Sequence, residues 1–320
     1  MTNNKPYEII ADTRKMTHEE WLKMRYSGLG GSDAAVATGL SRWKTPFQLW
    51  SEKTNRIQPT KAGESAYWGS VMEPILRQEF AKRSGFKVKE IHAFFRSVNH
   101  PYMLANIDGC VDLGNGQYAL LEIKTAGAYA VQDWADGLPV EYFLQIQHYL
   151  YVTGLETAFV AVLLGGNKFE NKQIDRDNDT IGNIVKLEGE FWSYVTKDVP
   201  PPIQAKDSDF LGTIYPKSEA KITTLPPEAA DWIKDYNAAV AVMAEAKTSK
   251  EEAEAKFKAE LKDADTAIIG NTKISWKSST TNRLSSDKVK ILLTEEQLKS
   301  CTTTTSSRRF TVSTVKAKKQ

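Results

Sequence analysis

The segment Tyr118 to Thr125 places the tightest constraint on the fold. Leu120, Leu121 and Ile123 give it the character of a strand set against a core, yet Glu122 and Lys124 interrupt the apolar run. Residues two apart on a strand share a face, so this acid and this base project together. Desolvating a charged pair beside a core costs free energy and needs a reason. The preceding strand, Met103 to Asp112, carries Asp108 and leads into this one through a glycine-containing turn.

Asp108, Glu122 and Lys124 are two hard oxygen donors and a cation. These are the groups that hydrolysis of a phosphodiester by water uses to hold a divalent metal and to orient the nucleophile. On these residues alone a plainer reading stays open, with Ile107-Asp108-Gly109 as an ordinary turn and Glu122-x-Lys124 as the wet face of an edge strand. Glu73 would add a third carboxylate, against the plainer role of a surface pair with Arg77 at i,i+4.

The rest of the chain reads as an α/β protein. Thr17 and Glu20 have capping-box spacing, so a short helix runs to about Tyr26 and stops at Gly28, Gly30 and Gly31. Ser32 then caps a second helix, and Thr45-Pro46 opens a third. From Ser65 to Ser84 apolar residues recur at helical spacing, with Pro74 expected to bend the helix and Gly85 to end it. Strand character follows from Phe86 through Phe95 and resumes at Met103. Pro139 opens an amphipathic helix closed at Gly154, Ala158 to Leu164 reads as a buried strand, and a last helix spans about Asp179 to Val195.

Pro200-Pro201-Pro202 marks the expected boundary, giving a domain over 1–200, a linker over 201–225 and a mainly helical C-terminal extension over 226–320. In that extension a long helix runs from about Pro226 to Leu261, Ile268 to Trp276 and Arg309 to Val312 suggest short strands, and the basic tail holds Arg308, Arg309, Lys316, Lys318 and Lys319.

Composition excludes several classes. A hydrophobic content of 41% with eight tryptophans supports a buried core, and a formal charge of +2 carries no prediction of a polyanionic partner. Two cysteines, Cys110 and Cys301, are too few for a disulfide framework or an iron–sulfur cluster and fit a reducing cytoplasm. No apolar run reaches the roughly 18 residues of a membrane span, and residues 1–14 lack a signal core. Gly30-Gly31-Ser32 is neither a nucleophile elbow nor a Walker A loop.

Taken in order, Gly30-Gly31-Ser32-Asp33, Gly69 with Glu73-Pro74, Ile107-Asp108-Gly109, Leu121-Glu122-Ile123-Lys124-Thr125 and Tyr142 to Tyr149 resemble the motifs of the YqaJ-type viral recombinase nucleases, relatives of lambda exonuclease in the PD-(D/E)xK superfamily. The resemblance covers about residues 15–165, roughly half the chain. One position departs from the pattern: Ile107 stands where the name-giving motif has proline, which leaves the acid in place.

The resemblance implies a restriction-endonuclease-like central mixed sheet flanked by helices. It implies Mg²⁺, with Mn²⁺ as a substitute, held by Asp108, Glu122 and the Ile123 carbonyl, with Glu73 as a further ligand and Lys124 beside the attacking water. Arg25 and Ser32 would bind a 5′-phosphate, and Tyr142 and Gln145 would orient Lys124 or the DNA. His148 is expected instead to be a packed, hydrogen-bonded core residue. The implied activity is 5′ to 3′ degradation of linear duplex DNA, leaving 3′ single strands for a RecT-like single-strand annealing protein. A homo-oligomer such as a trimer is implied as well. The alternatives are an endonuclease using the same site, or a DNA-binding or recruitment protein whose site has decayed.

Overall fold

The structure, a computed structural model, describes residues 5–57, 63–305 and 307–313. Lys316, Lys318 and Lys319 of the basic tail lie outside the described residues. Two compact units are present, Met1–Ile214 and Tyr215–Gln320.

The first unit begins with β1 (Tyr7–Asp12), α1 (His18–Tyr26), the short β2 (Leu29–Gly30), α2 (Gly31–Ala37) and α3 (Pro46–Lys53). Next come α4 (Glu64–Ser84), β3 (Lys87–Lys89), β4 (Ala93–Ser97), β5 (Met103–Ala105), β6 (Gly109–Gly114) and β7 (Gln117–Ala126). α5 (Val140–Thr153), β8 (Thr157–Leu164), β9 (Lys168–Asp175), α6 (Asn178–Lys197) and α7 (Asp207–Ile214) complete it. One mixed sheet has the order β3-β6-β7-β8-β9 and a second has the order β1-β4-β5-β2.

β7 lies inside the first sheet, antiparallel to β6 and parallel to β8, so the edge-strand reading of Glu122-x-Lys124 is excluded. Its alternation sorts two cores. Leu120 packs in one cluster with Leu144, Ile146 and Leu150 of α5, whereas Leu121 and Ile123 pack in another with Leu76 and Phe80 of α4. Glu122 and Lys124 share the parity of Leu120 and therefore sit under α5.

Several elements depart from expectation. The run Met103 to Asp112 is not one strand: it breaks at Asn106-Ile107-Asp108, with β5 in one sheet and β6 in the other. Phe86 to Phe95 divides the same way into β3 and β4. A two-residue period cannot report that a chain has changed sheets. β1 was not expected, because it is an edge strand with little apolar alternation; it pairs with β4. Past Pro202 the chain stays with the first unit, where Pro201 is buried, Asp207 accepts a hydrogen bond from Thr45, and Phe210, Leu211 and Ile214 join the cluster of Phe47 and Trp50.

In the second unit α8 (Ala229–Leu261) is followed by a hairpin of β10 (Thr266–Ile269) and β11 (Thr272–Ser275), then α9 (Ser286–Leu292) and α10 (Glu295–Cys301). Arg309 to Val312 has no regular structure, so the strand expected there is absent.

α2 closes directly on α5 because residue 31 has no side chain. A Cβ on Gly31 would lie 2.6 Å from the Tyr149 ring and 2.9 Å from Gln145 Cγ, both buried. Gly31→Ala is expected to destabilise the first unit by about 1–3 kcal/mol through overpacking. Urea unfolding measures this, and a loss no larger than that of Gly30→Ala, where a Cβ meets nothing within 4 Å, would contradict it.

Candidate active site

The break between β5 and β6 puts Asp108 at the point where the chain changes sheets, and its Oδ2 accepts a hydrogen bond of 2.7 Å from the Ile123 amide. That bond holds the acid beside β7. Lys124 Nζ is 2.6 Å from Glu122 Oε1 and donates at 3.1 Å to Gln145 Oε1, while Gln145 Nε2 donates at 2.6 Å to the same Glu122 oxygen. Gln145 therefore bridges acid and base from α5. The Lys124 ammonium also lies 5.0 Å from the centre of the Tyr142 ring, which stacks on Trp134.

Glu73 approaches from α4. Arg77, one turn along, pairs with Glu73, donates at 3.0 Å to the Asp108 carbonyl and pairs at 3.0 Å with Glu90. The i,i+4 pair is thus real, but it does not lie out on the surface, because Arg77 is buried and ties α4 to the Asp108 corner.

One cleft of about 570 Å³ takes in Glu73, Asp108, Glu122, Ile123, Lys124, Tyr142 and Gln145 at one part, and Arg25 and Ser32 at another. Every site residue expected from the sequence lines it. Trp21, Asn106, Thr125 and Tyr149 also line it and were not anticipated. Among the described residues no three His, Cys, Asp or Glu side chains converge in ligand geometry.

The acids are electrostatically crowded. Burial, and then the negative charge of Asp108, push the Glu122 carboxyl upward against the pull of Lys124. Burial also raises Asp108, opposed by Lys124, the Ile123 amide and Arg77. Glu73 is pushed up to about 7, by burial first and by Asp108 next, with Arg77 acting the other way. Burial alone would lower the Lys124 ammonium, but Glu122 and Asp108 outweigh it and hold the proton more tightly. Glu122 Oε2 is buried without a hydrogen-bond partner. An orphaned carboxylate oxygen among hard donors that resist ionisation fits a divalent cation, whose charge would reverse these shifts.

At the other part of the cleft Arg25 donates to Ser32 Oγ and its guanidinium lies 5.4 Å from the Trp21 ring. Ser32 does not cap its helix. Gly30 is the N-cap, and Asp33 accepts from the Gly30 amide at 3.1 Å, which leaves the Ser32 hydroxyl free to face Arg25. Asp33 pairs at 2.8 Å with Lys53, a buried contact missed from the sequence. A signal existed: Lys53 lies four residues after Leu49, on the buried face of α3.

His148 is fully buried, with its two ring nitrogens 2.8 Å from Glu188 Oε1 and 2.9 Å from the Leu104 carbonyl. It ties α5 to α6 and β5, as expected of a packed core histidine.

Fold and site together define an α/β protein with a carboxylate–lysine cleft on a central mixed sheet. The family described as the YqaJ-like viral recombinase domain matches residues 20–156. The YqaJ protein of Bacillus subtilis (strain 168) is 38% identical over 295 residues, which is 90% of this chain and 92% of that protein. The chain belongs to the YqaJ-like viral recombinase family. Among solved structures, the alkaline exonuclease LHK-Exo of Laribacter hongkongensis is 20% identical, with 56% of this chain and 93% of that chain covered and a TM-score of 0.48. A SOX–DNA complex is 10% identical, with 59% and 70% covered and a TM-score of 0.41.

Arg77 serves three acceptors at the floor of the cleft. Arg77→Met should cost about 2 kcal/mol, the scale of hydrogen bonds to charged groups. In urea unfolding, a loss no greater than that of Arg83→Met, which breaks a more exposed pair with Glu79, would contradict the assignment.

Proposed function

We propose that the protein is a metal-dependent deoxyribonuclease that degrades one strand of linear duplex DNA from a 5′ end. The observation that carries this reading is the single cleft that joins the Asp108–Glu122–Lys124 cluster to the Arg25–Ser32 pair. Asp108, Glu122 and the Ile123 carbonyl would hold Mg²⁺, with Mn²⁺ able to replace it and Glu73 able to add a ligand. The ion supplies positive charge against the negative charge that develops on the phosphoryl oxygens.

The chain's own groups do the positioning. The Arg25 guanidinium and the Ser32 hydroxyl are suited to gripping a terminal phosphate. With that phosphate held, the next phosphodiester along the strand is offered to the acid cluster. Lys124 directs an ammonium proton at the attacking water, and Gln145 keeps that ammonium in place through its carbonyl oxygen. Tyr142 limits where the Lys124 chain can swing.

Cutting in from 5′ ends leaves 3′ single strands, the substrate of a RecT-like single-strand annealing protein, and this accords with membership of a viral recombinase family. Assembly as a homo-oligomer such as a trimer and action in a bacterial host cytoplasm complete the proposal. Among the described residues no helix is long and apolar enough to cross a membrane.

The deciding experiment measures Mg²⁺-dependent nucleotide release from linear duplexes with 5′-phosphate, 5′-hydroxyl or covalently closed ends. Release that needs an open end, favours 5′-phosphate and drops at least about 10³-fold in Glu122→Ala and Lys124→Ala is expected. Cutting of closed DNA would instead mean an endonuclease, and no cleavage of any substrate would leave a DNA-binding or recruitment protein.

A second test needs no turnover. Mg²⁺ or Mn²⁺ at about 100 times its Kd should stabilise the wild type by about 2.7 kcal/mol. Thermal melts of Asp108→Asn and Glu122→Gln should lose that response. Retention of the full shift in both variants would remove the two acids from the metal site.

A further inference from the structure

Beneath the Arg25–Ser32 pair lies an ion pair that no step above uses. Lys53, the last residue of α3, and Asp33, in the first turn of α2, are both nearly inaccessible to solvent. The Lys53 ammonium donates to three acceptors: the Arg25 carbonyl at 3.0 Å, the Gly28 carbonyl at 2.6 Å and Asp33 Oδ2 at 2.8 Å. All three of its protons are spoken for. Asp33 in turn accepts from the Gly30 amide at 3.1 Å. One cation thus holds the main chain of Arg25 and, through Asp33, the main chain next to Ser32.

The far side of the loop is fixed as well. The Leu29 amide donates to the Tyr102 carbonyl at 2.6 Å, and a Cβ on Gly28 would lie 2.5 Å from that same carbonyl. The loop cannot relax toward β5, so its remaining freedom is the freedom that Lys53 removes.

Burying two charges is a poor way to gain stability, since apolar residues of similar volume are often as good or better. Its retention here points to geometry. Burial alone would raise the Asp33 carboxyl, but Lys53, Arg25 and the Gly30 amide hold it down at about 2, while burial lowers the Lys53 ammonium against the pull of Asp33 and three hydrogen bonds hold its protons in place.

We infer that Lys53 and Asp33 are positioning residues that set the separation and orientation of Arg25 and Ser32, and thereby the preference of the protein for a 5′-phosphorylated DNA end. The inference rests on the proposed phosphate role of Arg25 and Ser32. It also differs in sign from a charge effect. Removing the Asp33 charge makes the corner more positive, which by attraction alone would strengthen phosphate binding, whereas loss of positioning weakens it.

The test is equilibrium binding by fluorescence anisotropy in EDTA, where no cleavage occurs. The probe is a duplex closed at one end by a dye-labelled hairpin and carrying either a 5′-phosphate or a 5′-hydroxyl at the other. The readout is the ratio of the two Kd values, which a uniformly weakened fold would not move. Wild type should favour the phosphate, and Lys53→Met and Asp33→Asn should each shrink that ratio by about tenfold, a partial loss for a grip displaced by under an ångström.

Lys53→Arg, which keeps the charge and several donors, should recover part of the preference, and it serves in place of Lys53→Met if that variant does not fold. A ratio unchanged in folded variants, even with a lowered melting temperature, would overturn the inference while leaving the phosphate site intact. A ratio that rises in Asp33→Asn would overturn it in favour of charge alone. No phosphate preference in wild type would remove the phosphate reading itself, and the inference with it.

Discussion

The first unit depends on a central strand that carries charge where its neighbours carry hydrocarbon. Glu122 on β7 is buried between β6 and β8 at the edge of the cleft, so its surroundings must supply most of its partners. Lys124 supplies one and Gln145 another, which obliges α5 to cross the sheet at the height of residue 145. α2 must then lie close against α5, and glycine at 31 makes that approach possible. Placement of the polar pair on β7 thus propagates outward through two helices.

A second constraint is the divided strand. If Met103 to Asp112 ran straight, Asp108 would point from the middle of a ladder and its main chain would be committed to strand pairing. The break frees the Asp108 side chain to accept from Ile123 and its carbonyl to accept from Arg77. The acid is held from α4 and β7 at once. The structural discontinuity and the candidate chemistry fall on the same residue.

Much of this was legible in the sequence for physical reasons. Pro139 and Gly154 bracket α5, and Thr17 with Glu20 opens α1 through a capping box, because those residues act within one turn of themselves. Glu122 and Lys124 stood out as charges among apolar neighbours, Asp108 as an acid on the preceding strand, and Gln145 through the family resemblance. What escaped were features set by distant partners. β1 exists because β4 offers an edge, and Asp33 has a role only because Lys53 arrives from α3. Ser32 looked like a cap, and the correction came from Asp33, whose side chain reaches back to Gly30 where a serine at 32 would not need to.

The charge distribution along the cleft gives it a direction. Three acids, Glu73, Asp108 and Glu122, face Lys124 and Arg77, and burial raises all three carboxyls, so without a cation this floor holds on to protons. At the other part the half-buried Arg25 is the cation that faces the cleft, since Lys53 is spent on Asp33. A phosphate strand entering such a cleft is drawn to Arg25. Under the proposed function the same asymmetry therefore does two things. It orients the strand with its terminal phosphate at Arg25, and it leaves at the other end acids that would exchange their protons for a divalent cation.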